Sequence, residues 1–313
     1  MRAPEALITW LLDGDPAVQW QVRRDLLDAP ADVVAVERAR VATEGWGAAL
    51  LAAQHRDGGW GEGLYSPKWT STTYTLLLLC QLGLPAGDDR ARQGCGRLLD
   101  GARWIDGGGL NLAKTVRYPE VCMTALVLRT TADCGVQDER LGPLRTWLLD
   151  QQLGDGGWNC ETIRTHSTHG SFDTSILVLE ALHAWESARG PDPEVARAAE
   201  RGREFFAAHR LYCSHRTGEV VDPAYERIVF PPGWHHDLLR GLEHFASAGA
   251  PVDDRLADAV ALLRSRRRPD GTWAMNARHP GRYHFVLEPP RVPSRLTTVR
   301  ALRVLRWWEE GQG

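Results

Sequence analysis

Two carboxylates and a histidine-rich tetrapeptide are the residues best placed, by type and spacing, to do chemistry. Glu120 and Asp173 each stand at the head of a strongly apolar segment, and Trp234-His235-His236-Asp237 precedes another, Leu238-Leu239-Arg240-Gly241-Leu242. Where such heads converge on one partly desolvated pocket, their pKa values are driven apart, and an acid and a base become available near neutrality. Asp173, Glu120, His236, His235 and Asp237 are therefore the catalytic candidates. His236 is preferred over His235 because neighbours on a helix differ by about 100°, so only one can face an axis. Either carboxylate alone reads equally well as a stabilising charge at a helix N-terminus, worth about 0.3–1 kcal/mol.

Around these heads stand the substrate-binding candidates. Trp69, Tyr118 and Trp234 suit an aromatic wall that holds an apolar chain or stabilises a cation, with Thr73 and Cys122 in the same ring. Arg117 and Arg295 belong to a basic rim with Lys68, Lys114, Arg164, Arg216, Arg282 and Arg291, suited to an anionic head such as a diphosphate or carboxylate. The stretch Asn159 to His169 gathers a thiol and two imidazoles, yet a closed zinc site wants four ligands at tighter spacing, so this loop is expected to be a polar lid. No phosphate-binding glycine loop, G-x-S-x-G or H-E-x-x-H occurs in a suitable context, which leaves nucleotide-dependent and serine-hydrolase chemistry without support.

An internal repeat supplies the elements that must position these residues. Gln54-His55-Arg56-Asp57-Gly58-Gly59-Trp60 recurs as Gln152-Leu153-Gly154-Asp155-Gly156-Gly157-Trp158. A looser copy is Arg268-Pro269-Asp270-Gly271-Thr272-Trp273, and Asp106-Gly107-Gly108-Gly109 lies between the first two with Gly109 opposite the Trp. The period of about fifty to sixty residues marks a repeated helical unit. Segments 16–28, 69–84, 118–134, 172–188, 234–249 and 295–310 are apolar around most of their circumference and should be buried, whereas 139–152 and 193–209 carry charge on one face and should lie outside.

Six buried and six outer helices in alternation are best accommodated by closing the hairpins into a ring, an all-α (α/α)6 toroid of one domain spanning residues 1–313. An open solenoid would leave the apolar row in water. The long connections, 55–68, 104–117, 153–171, 211–233 and 268–294, then share one face with the N-termini of the buried helices, where free N–H groups favour anions. Function is expected there, over the mouth.

Composition agrees with a globular chain: 313 residues, 43% hydrophobic and 25% charged, with a formal net charge of −3. Nothing global draws such a chain to nucleic acid, and no apolar run approaches a bilayer span. Six scattered cysteines without a C-x-x-C pair and a start lacking a cleavable leader pattern predict a cytoplasmic protein. The oligomeric state is not legible.

The Q-x-x-D-G-G-W copies, each followed by a Thr/Ser-rich start to an apolar helix (Thr70 to Thr73; Asp173 to Ser175), resemble the prenyltransferase and squalene-cyclase repeat family. The resemblance implies an α/α toroid and an isoprenoid-like or other apolar substrate with an anionic or polar head, in a terpene cyclase/mutase-like isomerase or prenyltransferase-like role. Squalene-type cyclases carry D-x-D-D at the head of an inner helix, where this chain has Ser171-Phe172-Asp173-Thr174. Protein prenyltransferases hold zinc with D-x-C and a His; Glu120-Val121-Cys122 and His235 or His236 are similar. The alternatives are thus a zinc-dependent toroid enzyme with Cys122, Asp173 and His236 as ligands, or a non-catalytic ligand-binding toroid.

Overall fold

The computed structural model describes residues 4–113 and 115–312, so Lys114 of the expected rim lies outside the described residues. The chain is all-α apart from two minimal ribbons. Its helices are α1 (Glu5–Leu12), α2 (Pro16–Asp25), α3 (Ala31–Ala39), α4 (Gly45–Ala52), α5 (Thr72–Leu82), α6 (Asp89–Gly101), α7 (Val121–Asp133), α8 (Leu141–Asp150), α9 (Thr162–Thr165), α10 (Phe172–Arg189), α11 (Pro193–Ala208), α12 (Leu238–Ser247), α13 (Ala257–Ser265) and α14 (Arg295–Glu310). The ribbons pair β1 (Arg103–Trp104) with β2 (Leu110–Asn111), and β3 (Trp273–Ala274) with β4 (Pro293–Ser294).

Local chemistry sets the starts and stops. Asp15, with Pro16 in the first turn, caps α2 by accepting the Ala17 N–H at 2.9 Å. Asp88, Asp192 and Asp237 cap α6, α11 and α12 in the same way, and Ser171 and Ser294 cap α10 and α14. Gly83 ends α5 at φ 95°, with the Trp20 ring lying where a Cβ would project and its Nε1 donating to Leu82 O at 2.9 Å. Only glycine fits that close approach.

Helix α5 is buried on every side except near its end, as are most of α7 and α10, while α6 and α11 bury one stripe each, Ala91, Gly94, Cys95, Leu98 and Leu99 in the first case. Helix α5 packs on α7, α7 on α10, α10 on α12, α12 on α14, and α14 on α2. Trp20 then joins α2 to the end of α5.

Four turns share one joint. In each, an N–H near the turn's start bonds a carbonyl four residues on: His55 to Gly59, Ile105 to Gly109, Leu153 to Gly157 and Arg268 to Thr272. The next residue is Trp60, Leu110, Trp158 or Trp273, and its N–H donates to the hydroxyl of Thr72, Thr124, Ser175 or Thr298 in the following buried helix. Leu110, not Gly109, therefore occupies the Trp position of the second copy. Its glycines are covered instead by Trp147, which lies against Gly108 and Gly109. Each true repeat Trp is buried and donates Nε1 to a carbonyl of the preceding helix, at Leu50, Leu148 and Leu263, between 2.7 and 2.8 Å.

Several expected heads are not helical. Helix α5 begins at Thr72 and α12 at Leu238, so Trp69, Trp234, His235 and His236 sit in the preceding turns and the 100° argument does not apply to the His pair. The outer segment of the first unit is also broken, into α3, a 3-10 turn at Arg40–Ala42, and α4.

Candidate functional site

The expected catalytic heads divide into separate environments. His236 is 2% exposed, caged by Phe172, Phe206 and Tyr225, with Nε2 2.8 Å from Leu211 O and Nδ1 unpartnered. Burial pushes it down to about 3, so the neutral ring donates Nε2–H to that carbonyl. It is a core histidine, which corrects the expectation that it faces the axis. Asp237 is likewise structural: its carboxylate is buried and accepts the N–H groups of Arg240 at 2.8 Å and Val229 at 3.3 Å. Asp173, raised by burial, accepts the His236 backbone N–H at 2.6 Å and fixes the turn rather than the imidazole.

Glu120 lies 3.7 Å from the Cys122 thiol, and Cys122 N–H in turn donates to Cys160 Sγ at 3.1 Å. Among the described residues, no three His, Cys, Asp or Glu side chains are gathered as metal ligands. Cys122, Asp173 and His236 each serve a different neighbour, so this donor set does not fit the zinc reading.

The aromatic candidates fill the mouth instead of lining it. Trp69, at φ 71°, stacks on Tyr283 with centroids 5.9 Å apart, meets Tyr74 edge-on at 4.9 Å, and donates Nε1 to Pro280 O at 2.8 Å. His235 is sandwiched between Trp234 at 3.7 Å and His279 at 3.8 Å; burial lowers both imidazoles, His235 to about 3 and His279 to about 4. Lys68 Nζ lies 4.6 Å over the Trp234 ring. These rings pack on one another at the heads of α5 and α12, where free aromatic faces were expected. Thr73 Oγ1 donates to Leu64 O, and Arg295 Nε to Trp10 O, both serving backbone. Tyr118 is half-buried, with its carbonyl taken by Asn111, and Arg117 is exposed.

A cavity of about 640 Å³ lies toward the other end of the same helices. Its wall includes the last residues of α2, α7, α12 and α14, namely Asp25, Asp133, Ser247 and Glu310. Trp20, Phe230, Pro232 and Trp307 supply apolar surface. Seven arginines line it (Arg24, Arg38, Arg129, Arg240, Arg300, Arg303 and Arg306), facing five carboxylates (Asp25, Asp133, Glu180, Glu243 and Glu310).

The charges form two buried chains. Glu180 bridges Arg129 and Arg240, and Glu243 bridges Arg300 and Arg303, which continues to Asp25 at 2.9 Å. Burial opposes the ionisation of Glu180, but the two guanidiniums outweigh it and hold the carboxyl at about 2. Arg240 also donates to the carbonyls of Gly233 and His235, and so forms a floor beneath the aromatic stack. Helix C-termini carry negative partial charge, which explains part of the arginine excess. Arg38, for example, donates to Gly83 O at 2.7 Å and Leu84 O at 3.3 Å.

Helix dipoles do not account for Arg300 Nη1 and Arg303 Nε, which are buried without a partner, nor for Arg38 and Arg24 flanking the Trp20 ring at 5.2 and 4.5 Å. In the same wall, Asp133 is raised by burial against the pull of Arg129, and His183 is lowered by burial against the pull of Asp133. Burial thus opposes the charge on both groups.

These cavity residues lie away from the helix heads that the repeat pattern marks. A signal was present: Arg129, Asp133, Glu180, His183, Glu243 and Arg300 interrupt segments that are otherwise apolar all round.

No family model and no curated protein matches the sequence. Among solved structures the chain is similar to a protein from Actinoplanes, at 19% identity over 95% of this chain and 90% of that one, with a TM-score of 0.45. It is also similar to the type II terpene cyclase MstE from Scytonema, at 14% identity over 88% of this chain and 98% of that one, with a TM-score of 0.35. The same cyclase in complex with geranylgeranyl dihydroxybenzoate gives 14%, 88%, 97% and 0.34. Among the described residues no helix is long and apolar enough to cross a membrane.

Proposed function

We propose that the chain closes into an (α/α)6 toroid whose axial cavity binds a small molecule with an anionic head and an apolar body, an isoprenoid diphosphate or carboxylate by chemistry. The observation that carries this reading is the pair of buried, unpartnered guanidinium donors, Arg300 Nη1 and Arg303 Nε, in a cavity with an excess of arginine over carboxylate. Buried donors without acceptors are rare in native proteins, and an anion would satisfy them. Trp20 and Trp307 supply a surface for the apolar part.

The catalytic form of the reading, a proton-transferring enzyme of the terpene-cyclase or prenyl-transfer kind, is favoured by Asp133 and His183, whose environments push an acid and a base toward their neutral forms within one cavity. It replaces the roles first expected of Asp173, Glu120 and His236. The test is native mass spectrometry of the purified protein incubated with farnesyl diphosphate. A one-to-one adduct, absent with farnesol and converted more slowly by Asp133→Asn, supports the proposal. Equal retention of farnesol, or no adduct, contradicts it.

A further inference from the structure

Cys160 and Cys122 meet on the face opposite the cavity, at the heads of α7 and α10. Cys160 Sγ accepts the Cys122 backbone N–H at 3.1 Å and the Thr174 hydroxyl at 3.5 Å, while the Cys122 thiol donates to Glu120 Oε2 at 3.7 Å. Thr174 is itself held in place, because its Oγ1 receives the Cys160 N–H at 3.4 Å. Both residues are half-buried. One sulfur thus collects two donors, one of them the backbone N–H of the other cysteine.

A second thiol pair in the same molecule provides an internal contrast. Cys80 and Cys134 lie 3.8 Å apart, but no backbone N–H or hydroxyl is directed at either sulfur among the described contacts. Cys80, half-buried like Cys122 and Cys160, is pushed well up by its bond to Cys134 and by desolvation, and Cys134 is pushed up too, by Cys95 and by burial, against the bond from Cys80. At the other pair the neighbouring Cys122, with the Thr174 hydroxyl, lowers Cys160 against burial and the charge of Glu120, while Cys122 is raised by Cys160, by burial and by Glu120. Reactivity follows the thiolate, so the two pairs should differ although both are close.

We propose that Cys160 and Cys122 form a peroxide-reactive thiol pair that closes to a disulfide between the 153–171 loop and the head of α7. The Cys160 thiolate attacks one oxygen of hydrogen peroxide and the O–O bond breaks. The departing hydroxide takes the proton that Cys160 had released and leaves as water. Cys160 is then a sulfenic acid. The Cys122 sulfur attacks the Cys160 sulfur, the S–O bond breaks, and the oxygen departs as a second water carrying the Cys122 proton. Two thiols lose two electrons, and one peroxide becomes two waters. Thr174 is a positioning residue here, donating to the sulfur that reacts.

The full chain, treated with a small excess of hydrogen peroxide, alkylated and mapped by mass spectrometry without reduction, tests this directly. The expected result is a Cys122–Cys160 linked peptide, with two of the six thiols lost and Cys80 and Cys134 still alkylatable. Cys122→Ser should trap Cys160 as a dimedone-reactive sulfenic acid, and Cys160→Ser should leave Cys122 reduced. Thr174→Val should slow oxidation of Cys160 several-fold at unchanged thermal stability. If the Cys80–Cys134 link forms first, or Cys160 oxidises no faster than the buried Cys95, the proposal is overturned, and wild-type mapping alone decides this if a variant fails to fold.

Discussion

His236 illustrates how a residue that looks chemical can be structural. Its ring stays neutral because a charged imidazole would be stranded among Phe172, Phe206 and Tyr225. Its folded pKa of about 3 lies below the ordinary histidine value of 6.5, so its contribution to stability is complete above pH 6.5 and is lost as pH falls from there toward 3. His236→Gln, which keeps an N–H donor, should flatten the pH dependence of urea-unfolding free energy between pH 4 and 6 by about 1.4 kcal/mol per pH unit; an unchanged slope would count against this account. Glu243 is the opposite case, a carboxylate held ionised against burial by Arg300 and Arg303. Glu243→Gln leaves two buried guanidiniums short of a counter-charge and should cost about 3–5 kcal/mol in the same assay, with a loss below ~1 kcal/mol contradicting it. Neither role was legible in the sequence. Thr73, Asp237 and Arg295 all serve backbone groups in three dimensions, and the Leu211 carbonyl that engages His236 lies 25 residues upstream of it.

At the scale of the element, sequence and structure agree where one joint repeats. The Trp of each repeat is buried, its indole reaches back to the preceding helix, and its backbone N–H reaches forward to a Thr or Ser in the next. Glycine spacing exposes that pattern because Gly94 and Gly202 let the Trp60 and Trp158 rings approach to within 3 Å of where a Cβ would stand. The buried segments were legible from their apolar pattern: 172–188 and 295–310 appear as Phe172–Arg189 and Arg295–Glu310. The heads near 69, 118 and 234 were read as helical too early, because positive-φ residues such as Trp69 and Gly233 turn the chain first, a conformation that residue type does not announce in a Trp. Trp158→Ala should destabilise by about 3–5 kcal/mol through the cavity it leaves, and Ser175→Ala by about 1–2 kcal/mol through the orphaned N–H groups it creates. Denaturant titration checks both, and a Trp158→Ala cost near that of a surface substitution would show the joint to be incidental.

For the whole molecule, the return of α14 onto α2 is the contact that separates a ring from a superhelix, and Arg303 to Asp25 and Arg306 to Asp28 pin that seam at 2.9 Å each. A closed single domain of this length should scatter with a radius of gyration of about 20 Å, whereas a value several ångströms larger would mean that the ends do not meet. The C-terminal ends of α2, α7, α12 and α14 share one charged cavity, and an aromatic stack lies at the heads of α5 and α12. Arg38 is the residue through which the proposed anion site is most directly tested, since its guanidinium lines the cavity over the Trp20 ring, donates to the carbonyls of Gly83 and Leu84, and makes no salt bridge among the described residues. Calorimetric titration of farnesyl diphosphate into wild type and Arg38→Gln is the decisive measurement. Saturable one-to-one binding that weakens ten- to hundredfold in Arg38→Gln, as expected for about 1.5–3 kcal/mol from a lost charged hydrogen bond, is the predicted result. Absence of binding, or an affinity indifferent to Arg38, would contradict it.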